Sequence, residues 1–116
     1  MILAVLDDLM FTSKIRTTAS QLGVSVTFAR SAESALAEMR KSPPALVILD
    51  LNNPRTQPLS IVGAMKGDAA LSAIPTIGYA SHVQTDVIEA ARAAGVQEVL
   101  ARSAFTQHLP TILQRQ

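Results

Sequence analysis

At 116 residues the chain has the size of one ordinary domain, with length enough to bury a core. No apolar run nears the roughly 18 residues of a membrane span, residues 1–8 (MILAVLDD) lack a signal peptide's basic region, and the absence of cysteine excludes disulfides, zinc–thiolate sites and thiol catalysis. A net charge of +1, ten scattered basic residues and only three Phe and one Tyr supply neither the basic stripe nor the stacking platform of a nucleic-acid binder. The expectation is one cytoplasmic domain over residues 1–116, too short to carry a separate output domain, with no direct nucleic-acid or membrane partner.

Strand one is predicted over residues 2–6, a continuous apolar run of the kind that a strand buried on both faces requires. Phe11, Ile15, Ala19 and Leu22 then recur at helical spacing, and Gly23 follows as a left-handed cap. After a second strand over 24–28, Ser31 is placed to N-cap a stripe of Ala32, Ala35, Leu36 and Met39. Pro43-Pro44 bars helix before a third strand over 45–49, as Pro75 does before a fourth over 76–79. Val87, Ile88, Ala91 and Ala94 predict a helix closed by Gly95, and a fifth strand follows over 98–101. Phe105, Leu109, Ile112 and Leu113 predict a last helix. Pro110 is tolerable only in a first turn, so this helix is expected to be short and to start near Thr106. The methionines fall in or beside the stripes and read as core.

Strand starts about 20 to 30 residues apart give five βα units, hence a parallel sheet with helices on both faces. Ligands of such sheets bind beyond the carboxyl ends of the strands. Three of the chain's five aspartates fall there: Asp7 and Asp8 after strand one, and Asp50 at the end of strand three. If those strands are neighbours, the carboxylates converge within a few ångströms. Their repulsion and desolvation are offset if a hard divalent cation such as Mg²⁺ joins them. A single Asp after a strand is most often an N-cap or turn former, so it is the constellation that points to a site. His82 beside the pocket and His108 in the last helix read as solvent-facing, and neither has a second histidine at ligand spacing.

These residues, from VLDD through LDLNNP (49–54) to AARAAG (90–95), resemble the receiver domain of two-component response regulators over essentially the whole chain. The resemblance implies a doubly wound α/β fold with strand order 2-1-3-4-5 and five helices. It implies that Asp50, four residues before Pro54, accepts a phosphoryl group from a histidine kinase or phosphotransfer protein. It also implies that Asp7, Asp8, Asp50 and the backbone carbonyl of Asn52 bind Mg²⁺. The output would be contact with a downstream protein, and the face formed by strand four, helix four, strand five and the last helix would serve a partner or a homodimer. Val83 and Phe105 are candidates for apolar surface at its edge.

The family pattern is broken in three places. Its hydroxyl residue at the end of strand four is Ala80 here, with Ser81 one residue late. Its lysine after strand five is Arg102, whose planar fork differs from a compact ammonium. Its strand-five aromatic is Val99, so any switching must take another route. These departures leave open a phosphorylation-insensitive pseudo-receiver that works only as an interaction module. A third alternative, an aspartate-based phosphohydrolase, would carry its nucleophile on strand one in an Asp-x-Asp spacing, whereas Asp7 and Asp8 are adjacent.

Overall fold

A computed structural model describes residues 1–81 and 85–115. The element order is β1 (Ile2–Val5), α1 (Leu9–Leu22), β2 (Val26–Ala29), α2 (Ala32–Lys41), β3 (Leu46–Asp50), a 3₁₀ turn (Pro54–Thr56), α3 (Pro58–Lys66), β4 (Thr76–Ala80), α4 (Thr85–Ala94), β5 (Glu98–Ala101), α5 (Arg102–Gln107) and α6 (Leu109–Leu113). The five strands form one parallel sheet in the order β2-β1-β3-β4-β5, as the resemblance implies. β1, β3 and β4 are buried throughout, which explains their unbroken apolar runs, while the edge strands β2 and β5 are half-buried.

The helices cover both faces. Against one, α1, α5 and α6 pack Phe11, Ile15, Phe105, Leu109 and Ile112 onto Ile2, Ala4, Ile48 and Tyr79. Against the other, α2, α3 and α4 pack Met39, Ile61, Val62, Met65 and Ala91 onto Leu3, Val5, Val47 and Leu49. Gly23 caps α1 at φ 69°, a left-handed conformation that costs glycine nothing. Ser31 caps α2 by accepting the Ser34 N–H.

The structure corrects the predicted elements at four points. Six α-helices, not five, stand among the described residues, because the last helical segment is two. Helix starts at Arg102 rather than near Thr106. Pro110 has no N–H to continue it, so the chain turns at His108 (φ −100°, ψ 10°) and restarts with Pro110 in the first turn of α6. α3 had no assigned stripe, and its register is set by Pro58 at its first turn. Met10 is 86% exposed instead of core, while Phe105, one of two candidates for apolar surface, is fully buried against Phe11 and Tyr79, in keeping with its place in the last helical stripe. His108 is exposed, as expected. His82 and Val83 lie outside the described residues.

Candidate functional site

Because β1 and β3 are direct neighbours, with Val5 paired to Leu49, the chain leaving each strand delivers its aspartates to the same end of the sheet. Asp7, Asp8, Asp50 and Asn52 line one cleft of about 320 Å³ together with Asn53, Pro54, Arg55 and Arg102. The site is therefore assembled by strand order alone, at the carboxyl edge where an open parallel sheet binds ligands.

Asp50 is the buried member, only 7% exposed. Its Oδ1 accepts the Asn52 N–H at 3.0 Å. Burial pushes its carboxyl above the ordinary 3.8, the Asn52 hydrogen bond and the Arg102 charge pull the other way, and the nearby Asp8 charge adds to the rise. Asp8 does two jobs. Its Oδ1 N-caps α1 by accepting from Met10 N–H (3.0 Å) and Phe11 N–H (3.1 Å), and its Oδ2 pairs with the Arg102 guanidinium at 2.9 Å. The Phe11 hydrogen bond first, and Arg102 second, hold its carboxyl below 3.8. Asp8 is thus an N-cap that also lines the cleft.

Asp7 is gripped from two sides, by Arg30 at 3.1 Å and by Arg55 at 3.5 Å. Asn52 contributes its side-chain Oδ1 to the Ser81 backbone N–H at 2.6 Å, tying the loop after β3 to the end of β4. Ala80 is fully buried and in register with Ala101, so it brings no hydroxyl to the cleft. Val99 is half-buried and packs on the α2–α3–α4 side. The aromatic residue next to the site is instead Tyr79 on the opposite face. It is paired with Asp50 in the sheet, its ring packs tilted against Phe11 at 4.9 Å and Phe105 at 4.8 Å, and Arg102 lies over it. Burial, with help from the Asp50 charge, keeps its phenol protonated at all ordinary pH.

Mg²⁺ takes hard oxygen donors, usually one or two carboxylates plus waters, and the donors that line this cleft fit in kind. Asp7, Asp8 and Asp50 share the cleft, but Asp7 and Asp8 are engaged by arginines. Among the described residues no three acidic or imidazole groups gather into one ligand cluster. Arg30 and Arg55 pair with Asp7, and Arg102 pairs with Asp8. Sequence reading missed Arg30 and Arg55, which only the fold brings to Asp7. Arg30 directly follows Ala29, which pairs with Val5, and Arg55 directly follows Pro54 of the loop after β3.

Residues 2–114 match the family model described as the response regulator receiver domain. No curated protein matches the chain by sequence. Among solved structures it is similar to a response regulator from Hahella chejuensis (TM-score 0.86, 21% identity, covering 97% of this chain and 90% of that one). It is also similar to the chemotaxis response regulator CheY4 of Vibrio cholerae (0.84, 23%, covering 98% and 95%). A third likeness is to the phosphorylated cyanobacterial phytochrome response regulator RcpA (0.81, 24%, covering 97% and 87%). With the family model spanning all five strands of a sheet ordered 2-1-3-4-5, the chain belongs to the response regulator receiver domain family.

Proposed function

We propose that the chain is a signalling receiver that accepts a phosphoryl group on Asp50 from the phosphohistidine of a histidine kinase or phosphotransfer protein, and that it passes the signal on by protein–protein contact. The single observation that carries this reading is the placement of Asp50. It is the one buried carboxylate among the described residues, it sits at the carboxyl end of the central strand, and it opens into a cleft lined by Asp7, Asp8 and Asn52. The Asn52 N–H steadies Oδ1, which leaves Oδ2 to attack. In the transfer an Asp50 oxygen bonds to phosphorus as the P–N bond to the donor imidazole breaks, giving an acyl phosphate on Asp50 and a free imidazole on the donor. Burial raises the basicity of Asp50, which favours attack.

Asp7, Asp8, Asp50 and the Asn52 carbonyl would hold Mg²⁺, which supplies charge to offset the phosphoryl oxygens. Arg102, in place of a lysine, would meet the phosphoryl group once it leaves Asp8, with Ser81 beside it. Contact with a kinase and an effector, not turnover of a free substrate, is the work of such a module, and the cytoplasm is where those partners would meet it. No described helix is long and apolar enough to cross a membrane. The likeness to RcpA, crystallised phosphorylated, is in keeping with this reading.

Incubation with Mg²⁺ and a small acyl-phosphate donor should add one phosphoryl mass to the intact protein, and Asp50→Asn should abolish the addition. A wild-type chain that stays unmodified with both a small donor and a cognate kinase refutes the proposal.

A further inference from the structure

Each carboxylate after β1 already carries a cation. Arg102, the first residue of α5, lays its guanidinium 4.6 Å over the Phe11 ring and 6.0 Å from the Tyr79 ring while pairing with Asp8 Oδ2 at 2.9 Å. Asp8 Oδ1 is committed to the first turn of α1, so Oδ2 is the oxygen that a metal ion would have to take. On Asp7, Arg30 reaches Oδ1 with Nε (3.3 Å) and its terminal nitrogen (3.1 Å), and Arg55 reaches Oδ2 at 3.5 Å. The three arginines come from separate segments, after β2, after β3 and after β5, and each reaches Asp7 or Asp8. A guanidinium and a divalent cation repel, so the two compete for the same carboxylate.

We propose that Arg102, Arg30 and Arg55 are tethered counter-ions that a divalent cation must displace from Asp8 and Asp7, so that the chain's own arginines set its divalent-cation affinity. The inference rests on the reading of the cleft as a cation and phosphoryl site. Displacement from Asp8 also takes Arg102 off the Phe11–Tyr79 rings. Because Arg102 begins α5 and Phe105 lies one turn on, stacked against Tyr79, the move is felt where α5 meets the sheet. Tyr79 is the only tyrosine and the chain has no tryptophan, so intrinsic emission reports this event without labelling.

The arginine side chains are 48%, 67% and 83% exposed for Arg102, Arg30 and Arg55, so each pair is screened and the effects are moderate. Mg²⁺ titrated calorimetrically into Arg102→Ala should bind about fivefold more tightly than into wild type, and roughly threefold more tightly into the Arg30→Ala/Arg55→Ala double variant. Arg102→Lys, which keeps the charge but not the planar stack, should fall between wild type and Arg102→Ala. Arg16→Ala is the control, because Arg16 sits on α1 over Phe28 and touches neither aspartate. It should leave the affinity unchanged. Saturating Mg²⁺ should alter Tyr79 emission in wild type and leave it unaltered in Arg102→Ala. Equal or weaker Mg²⁺ binding in the arginine variants overturns the proposal, as does an Arg16→Ala effect as large as that of Arg102→Ala. The phosphoryl mass assay on the same samples separates the two claims. Tightened binding without an Asp50 adduct removes the phosphoacceptor reading alone, and an adduct without tightened binding removes the counter-ions alone.

Discussion

Asp50 and Asp8 are the same residue type at adjacent strand ends, yet their surroundings drive them in opposite directions. Asp8 is fed by two helix N–H groups and a guanidinium, so its charge stabilises the fold above the ordinary 3.8, and that contribution is lost as pH falls through its depressed pKa. Asp50 is desolvated, so its charge is a burden that is absent below 3.8 and grows as pH rises through its elevated pKa. Asp50→Asn should therefore raise the melting temperature at neutral pH, by a stability gain on the order of 1 kcal/mol. The gap from wild type should close as the pH is lowered toward 3.8. Melting curves across that range check the sign, and a gap that widens on acidification contradicts it.

At the scale of elements, the cleft is made by helix starts. Asp8 opens α1 and Arg102 opens α5, and the ion pair between them joins two helices on one face of the sheet. Losing the cap is the larger effect: Asp8→Ala should cost about 1 kcal/mol of stability, whereas Asp8→Asn, which keeps an acceptor for the Met10 and Phe11 N–H groups, should retain most of it. Urea unfolding of both variants measures the difference, and equal losses would show that the charge, not the cap, is what counts. The strands and the acidic strand ends were legible in the sequence because continuous burial, proline and glycine leave local marks, whereas the strand order came from the family resemblance. The grip of Arg30 and Arg55 on Asp7 was not, since those residues lie 23 and 48 positions away and nothing in a local pattern pairs them. The split of the last helix was half legible. Pro110 announced a first turn, but the helical start at Arg102 ahead of it had no cap residue to mark it.

Across the whole molecule, the sheet carries two separate cores. One is built by α1, α5 and α6 around the Phe11–Tyr79–Phe105 stack, the other by α2, α3 and α4 around Met39, Val62 and Met65. Both rest on the same buried strands, so the chain should unfold as one unit. Phe105→Ala on one face and Met65→Ala on the other should each cost roughly 2–5 kcal/mol. In both variants the loss of Tyr79 emission, which reports the first face, should coincide with the loss of helical circular dichroism. A Met65→Ala variant whose dichroism melts early while its Tyr79 transition stays in place would mean that the two faces are independent. That single scaffold brings Asp50 to the floor of a cleft with Asp7, Asp8 and Asn52 around it, and the function proposed here depends on that residue. The most direct measurement is to treat the donor-incubated protein with borohydride, which reduces an aspartyl phosphate to homoserine, and to read every peptide by mass. Homoserine at position 50 and at no other aspartate is the expected result; homoserine at Asp7 or Asp8, or none at all in protein treated with a competent donor, contradicts it.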